Sequence, residues 1–309
     1  MPTTIARVAL AAWLLLAGAL VCTAVAVAAV REIAPGVYVH TGAQQKASPA
    51  NLGDIANTGL IVGDKCVAVI DTGGSLTVGQ ALRAAIRATT QVPICYVINT
   101  HVHPDHIYGN AAFKIDKPKF VGHAKLPAAE AARAQNYQRT LLTDLGNAAA
   151  GSEIVPPDIT VSDSLELDLG GRVLELRAWK TAHTDNDLTV YDRKTGTLWL
   201  GDLLFVDRIP AVDGSLRGWL ATIRELRGMQ ARHVVPGHGP TDPPWPEALL
   251  PEERYLTLLA KEVRSALRER LTLQQAVETV GQSEHDKWLL FDDYHKRNAT
   301  AAYTELEWE

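Results

Sequence analysis

Between Lys65 and Asn110 the chain reads as strand, helix, strand, and each strand runs into a polar loop. The first strand is "KCVAVID" and the second is "ICYVINT", a β-rich run without alternation, as expected of a strand covered on both faces. Between them, Gly73, Gly74 and Ser75 give a helix-start signal, and Leu76, Leu82 and Ile86 recur at helical spacing. Strand, helix and strand in that order imply a parallel pair joined by a crossover helix. In such sheets functional groups sit in the loops beyond the carboxyl ends of the strands. "DTGG", beginning at Asp71, and "HVHPDH", from His101 to His106, both fall at such ends.

"HVHPDH" places three histidines and one aspartate within six positions. A lone histidine is most often an ordinary core or surface residue, but that reading does not account for His101, His103, Asp105 and His106 together. Neutral imidazole and carboxylate are the ligands that suit zinc. Positions two apart in a loop leaving a strand can point the same way, so His101 and His103 are candidates for one metal, with Asp105 and His106 turned to a second. Further ligands are expected at equivalent places: His183 after "VLELRAW", Asp202 after "TLWLG", and His238 in "HVVPGHG". Gly237 and Gly239 flank that last histidine and would let the backbone approach closely. Ser75 reads as a helix-start residue rather than a nucleophile.

The rest of the chain supports an α/β class. "SLELDLGGRVLELRAW" is two alternating strands about Gly170-Gly171, a hairpin signal, and "LTVYDRKTGTLWLGD" repeats the device. "AKLPAAEAARAQNYQRTLLTDLG" has a helical pattern, and from about residue 245 the chain turns helical to its end. The whole reads as two β-rich halves with helices outside. Residues 1–29 read as a signal peptide: Arg7, a charge-free apolar run, and small residues at Ala24, Ala26 and Ala28. The alternative is a retained anchor. Removal of the leader would leave Cys66 and Cys95, which could pair in an oxidising compartment; two buried, inert thiols are the favoured expectation. A formal net charge of −5 provides no basic surface for nucleic acid.

H-x-H-x-D-H followed by a distant histidine, a Gly-Asp and a Gly-His resembles the metallo-β-lactamase superfamily, over nearly all of the chain from "IDTGG" to "PGHG". The resemblance implies a four-layer αββα sandwich over residues 30–309 with two zinc ions at one edge. It implies that His101, His103 and His183 hold one ion, that Asp105, His106 and His238 hold the other, and that Asp202 bridges them. Asp71 would lie behind the ligands and orient their loop. The chemistry implied is hydrolysis by a metal-bridging hydroxide, with Asp105 as the catalytic residue that orients the nucleophile and passes its proton to the leaving group.

An aspartate at the Gly-Asp position is the pattern of glyoxalase II-like thioesterases and lactonases rather than of dedicated β-lactamases. Longer strings such as "VINTHVHPDHIYGN" and "AHTDNDLTVYDRKTGTLWLGDLLFVDRIP" look closest to the quinoprotein relay system zinc metallohydrolases, related to sulfur-oxidation-associated proteins. The expected function is therefore that of an exported, periplasmic zinc hydrolase of ester, thioester or lactone substrates, free of the membrane once the leader is removed. A metal-stabilised accessory protein of a quinoprotein dehydrogenase system, a β-lactamase-like amide hydrolase and iron-dependent sulfur oxidation are the alternatives. Arg208 and Tyr108 are candidate substrate-binding residues. Arg208, Asp213 and Arg217 are read together as a loop able to grip an anion. Lys261 and Arg264 would face glutathione in a glyoxalase II-like enzyme, or simply form the wet face of a helix. His40 and His123 match no motif.

Overall fold

The computed structural model describes residues 28–309; the expected leader lies, up to residue 27, outside them. The elements follow in the order β1 (Arg31–Ala34), β2 (Val37–His40), β3 (Thr58–Val62), β4 (Val67–Ile70), α1 (Leu76–Thr89), β5 (Ile94–Ile98) and the short α2 (Pro104–Ile107). Then come β6 (Lys119–His123), α3 (Leu126–Leu145), β7 (Ile159–Val161), β8 (Ser164–Asp168), β9 (Val173–Ala178), β10 (Leu188–Asp192), β11 (Thr197–Phe205) and α4 (Leu216–Leu226). The chain closes with β12 (His233–His238), α5 (Leu249–Arg268), α6 (Leu273–Thr279) and α7 (Phe291–Leu306).

Strands β1 to β7 form one sheet in sequence order, and the second sheet has the order β12-β11-β10-β9-β8. β4, β5 and β6 pair in parallel, as the crossover requires, while the hairpins β8–β9 and β10–β11 are antiparallel. The sheets face each other across an apolar layer to which one contributes Ile61, Ile70 and Ile98 and the other Leu176, Val190 and Trp199. On the far side of the first sheet, Leu82 and Ile86 of α1 pack on Leu60, Val69 and Val97. On the far side of the second, Trp219 of α4 and Tyr255, Leu256 and Leu259 of α5 pack with Leu198, Leu200 and Val234. This is the expected αββα sandwich. Truncating one of these fully buried leucines to alanine would cost ~2–5 kcal/mol.

The helix-start signal before α1 is real: Ser75 sits in extended backbone and its hydroxyl accepts the Val78 N–H. Two expectations need correction. Cys66 and Cys95 are bonded to each other, with Cα atoms 5.5 Å apart, instead of being inert thiols. Parallel pairing sets Val67 beside Ile94, which brings the two flanking cysteines together. Asp202 lies within β11 instead of beyond its end, at a register break around Gly201. Among the described residues, no helix is long and apolar enough to cross a membrane.

Candidate metal centre

All the ligand-bearing segments meet along one edge of the two sheets. The loop after β5 is fastened at both ends. Asn110 donates to the side chain of Asn99 (2.8 Å) and accepts the Thr72 hydroxyl (2.8 Å), while the Asn99 amide and the Thr72 backbone N–H both donate to the His106 carbonyl. His103 precedes α2, with Pro104 in its first turn, so Asp105 and His106 leave on one short helical turn. His183 stands in the loop between β9 and β10, Asp202 on β11, and His238 closes β12. Gly237 is required there, because a β-carbon would collide with the Asp202 carboxylate.

The seven residues form two groups. Atoms of His101, His103, His183 and Asp202 lie within 4.8 Å of one another, as do those of Asp105, His106 and His238. Asp202 touches both groups. Its Oδ2 is 3.4 Å from His183 Nε2, 3.6 Å from His101 Nε2 and 3.4 Å from His238 Nε2, while Oδ1 is 3.2 Å from His106 Nε2. Asp105 Oδ2 lies 3.3 Å from His238 Nε2.

The outer nitrogens decide what the inner ones can do. His103 Nε2 faces Asp213 Oδ2 (3.1 Å) and His106 Nδ1 faces Asp71 Oδ2 (2.8 Å). His183 Nδ1 faces the Ala211 carbonyl (2.7 Å) and His238 Nδ1 the Ile55 carbonyl (2.7 Å). His101 Nδ1 faces the Thr100 hydroxyl (3.1 Å), whose own proton goes to Asp71 Oδ2 (2.7 Å). Every outer nitrogen therefore has an acceptor, and a neutral imidazole so held turns a lone pair inward. His103 Nδ1 lies 3.0 Å from His101 Nε2 and 2.9 Å from His183 Nε2, contacts that repel as lone pairs unless a cation is shared. Where the two groups meet, His106 Nε2 and Asp202 Oδ1 are buried without a hydrogen-bond partner among the described residues. The residues present fit divalent metal ions at both places.

Charge agrees. Burial pushes His101 well below the ordinary imidazole value, with His106 adding to the effect, and carries His183 down to about 3. Both are neutral at pH 7. Burial also depresses His106, but the Asp202, Asp71 and Asp105 carboxylates outweigh it and raise that imidazole well above its usual range. The acidic cluster demands a positive charge, supplied by a proton in the metal-free chain or by a metal ion. Burial raises Asp105, yet His106 and the contact with His238 hold it below the usual carboxylate range.

The cluster opens into a cavity of about 450 Å³ whose wall includes His103, Asp105, Tyr137, Arg208, Tyr294 and Arg297. Arg208 is only 4% exposed. It donates to the Tyr294 hydroxyl (3.0 Å) and forms no ion pair with a carboxylate among the described residues. Its contact with His238 Nδ1 (3.1 Å) is no true bond, since that nitrogen already donates to Ile55. Other candidates lie elsewhere. Tyr108 is packed with Leu141 and Leu145 off the cavity wall, and burial pushes its hydroxyl up to about 12. Arg217 lies in the first turn of α4, paired with Glu305 and Glu309. Arg264 pairs with Glu309 and Lys261 lines a separate outer groove on α5, so neither reaches the cavity. His40 pairs with Asp54, and His123 belongs to neither metal group. Asp213, read as a substrate group, instead orients His103. Thr100 escaped the sequence reading, although its place directly before His101 is a usable signal.

Three comparisons bear on this centre. A curated linear primary-alkylsulfatase of Pseudomonas sp. is 25% identical over 207 residues, 55% of this chain and 39% of that protein. The chain thus spans about two fifths of the length of that relative. Among solved structures, a stereoselective inverting sec-alkylsulfatase from Pseudomonas sp. superposes with a TM-score of 0.69 at 17% identity, over 90% of this chain and 50% of that one. A metallo-beta-lactamase from Pontibacter korlensis gives 0.59 at 21% identity, over 73% and 98% of the two chains. These likenesses show the fold. The family model of the metallo-beta-lactamase superfamily matches residues 52–238, from the loop before β3 to His238, and the chain therefore belongs to that superfamily of metallohydrolases.

Proposed function

We propose that the chain is an exported, dinuclear zinc hydrolase acting on ester-, thioester- or lactone-type substrates that carry an anionic group. The observation that supports this most is the placement of Asp202, with oxygens facing both ligand groups on the floor of an open cavity. An all-nitrogen-and-oxygen ligand set of this kind suits zinc. When bound, a pair of divalent ions supplies Lewis acidity and makes water nucleophilic at neutral pH.

The chain's own groups do the rest. His101, His103 and His183 would hold one ion, Asp105, His106 and His238 the other, with Asp202 shared. Asp105 lines the cavity, so its carboxylate can take a proton and deliver it to a leaving group. Arg208 is a desolvated guanidinium without a carboxylate partner among the described residues, and a substrate carboxylate, sulfate or phosphate would satisfy it. The Cys66–Cys95 bond supports export, because such bonds persist in oxidising compartments. A sulfate ester belongs among the substrates to be tried, given the alkylsulfatase relative.

The test combines metal analysis of the full chain with a screen of carboxylic ester, thioester, lactone, sulfate ester and lactam substrates, each in anionic and neutral form. Two zinc ions per chain and turnover of an ester-class anion are expected. Two ions with no turnover would overturn the hydrolase in favour of an accessory protein. Lactam turnover alone would favour amide hydrolysis.

A further inference from the structure

Two ligands of one metal group owe their orientation to a short loop, residues 210–213, which follows β11. The Ala211 carbonyl accepts His183 Nδ1–H at 2.7 Å, and Asp213 Oδ2 accepts His103 Nε2–H at 3.1 Å. The loop's position comes from the last helix of the fold. Asn298 of α7 is fully buried and takes hold of the backbone on both sides of Ala211: its amide NH2 donates to the Pro210 carbonyl (2.7 Å) and its Oδ1 accepts the Val212 N–H (2.9 Å). A carbonyl can only accept and an N–H can only donate, so the amide orientation is fixed, and no other side chain of this length serves both. The neighbouring Arg297 donates to Asp213 Oδ1 at 2.8 Å, opposite the oxygen that faces His103. Farther along α7, Glu305 accepts the Ser215 hydroxyl (2.7 Å) and the Leu216 N–H (2.6 Å), fastening the exit of the same loop.

We propose that α7 is the positioning element of the His101/His103/His183 group, with Asn298 setting His183 through Ala211 and Arg297 setting His103 through Asp213. This rests on the metal reading above. Both residues lie beyond the segment matched by the family model, so the C-terminal helices complete the centre instead of merely decorating it. The Asp105/His106/His238 group is oriented by Asp71 and the Ile55 carbonyl, to which no α7 side chain hydrogen-bonds among the described residues. The effect is therefore selective for one ion.

The experiment titrates the metal-free full chain with zinc against a chromophoric chelator, and with cobalt(II) followed by visible absorption. Wild type, Asn298→Ala and Arg297→Met are compared, with Tyr255→Phe as a control that removes a hydrogen bond to Asn298 (3.0 Å) but leaves both of its contacts to the loop. Asn298→Ala should weaken one ion by ~10–100-fold, the usual scale for losing a group that orients a ligand, and alter its cobalt spectrum while the other ion stays unchanged. Arg297 is mostly exposed, so its variant will fold and should weaken the same ion to a lesser degree; it decides the matter if Asn298→Ala does not fold. Wild-type affinities in both variants would overturn the inference, as would equal loss of both ions. A wild-type chain that takes up no ion would instead overturn the metal reading itself.

Discussion

Asp71 accepts His106 Nδ1–H at 2.8 Å and also carries Thr100, whose hydroxyl receives His101 Nδ1–H, so one carboxylate orients a histidine of each candidate metal group. Asp71 holds a left-handed backbone (φ 53°) at the end of β4, where its Oδ1 also accepts the Thr100 N–H (2.8 Å). Aspartate tolerates that conformation better than most residues. Asp71→Asn is expected to weaken both ions by ~10–100-fold. Chelator competition checks this, and loss at only one site would show that the Thr100 relay is idle.

Asp105→Asn keeps the size and one oxygen ligand but removes the charge. At saturating zinc, with occupancy measured on the same sample, turnover should fall by roughly 10²-fold or more, the scale of general acid–base help. Full occupancy at an unchanged rate would defeat the proton-transfer role.

Zinc uptake should release protons. In the metal-free chain the Asp202, Asp71 and Asp105 carboxylates raise His106 despite its burial, so this imidazole is charged at pH 7 and must lose its proton to bind metal. His183, down at about 3, has none to lose. Affinity therefore weakens as pH falls. Calorimetry in buffers of different ionisation enthalpy should detect about one proton released at pH 7. Buffer-independent heats would contradict it.

Glu252 is fully buried, with Oε1 accepting the Phe205 N–H (3.1 Å) and Oε2 unpartnered among the described residues. Burial raises its pKa well above the usual value, and the Phe205 N–H does not offset this. A carboxyl raised by folding stabilises the protonated form, so stability is present below the unfolded pKa and declines as pH rises toward the folded one. Glu252→Gln should flatten that decline, seen as a rising stability difference between variant and wild type from pH 5 to 8 in denaturant titrations. A parallel pair of curves would refute it.

The Cys66–Cys95 bond closes a sequence separation of 29 residues. Its removal by Cys66→Ser/Cys95→Ser should lower stability by ~3–4 kcal/mol on the loop-entropy scale. The bond ties β4 to β5, the strands that carry Asp71 and the histidine loop, so chelator resistance should fall with it. Urea unfolding with and without the bond measures the first, and chelator competition on the same two proteins measures the second.

The candidate ligands were legible because each is a side chain able to bind metal at or near a strand end, and five of the seven are histidines. The two β-rich halves with helices outside were legible in the crossover and the two hairpins, while the αββα order came from the family resemblance. What was hidden depends on partners that every sequence contains. Asn298 acts on the backbone of Pro210 and Val212, 86 or more residues away, and nothing in "KRNAT" marks it. Arg217 looked like a loop charge because the Ser215 cap that starts α4 was not recognised. The disulfide waited on strand register, which composition does not encode.

Each candidate metal group draws its residues from both halves of the sandwich: the loop after β5 supplies His101 to His106, and the second sheet's segments supply His183, Asp202 and His238. Contacts between segments so distant along the chain close late in folding, after most of the loop entropy has been lost. Bound ions then act on the way out of the native state more than on the way in. Metal-loaded protein is expected to refold at nearly the metal-free rate yet unfold far more slowly, so the centre doubles as a kinetic latch against exposure to proteases.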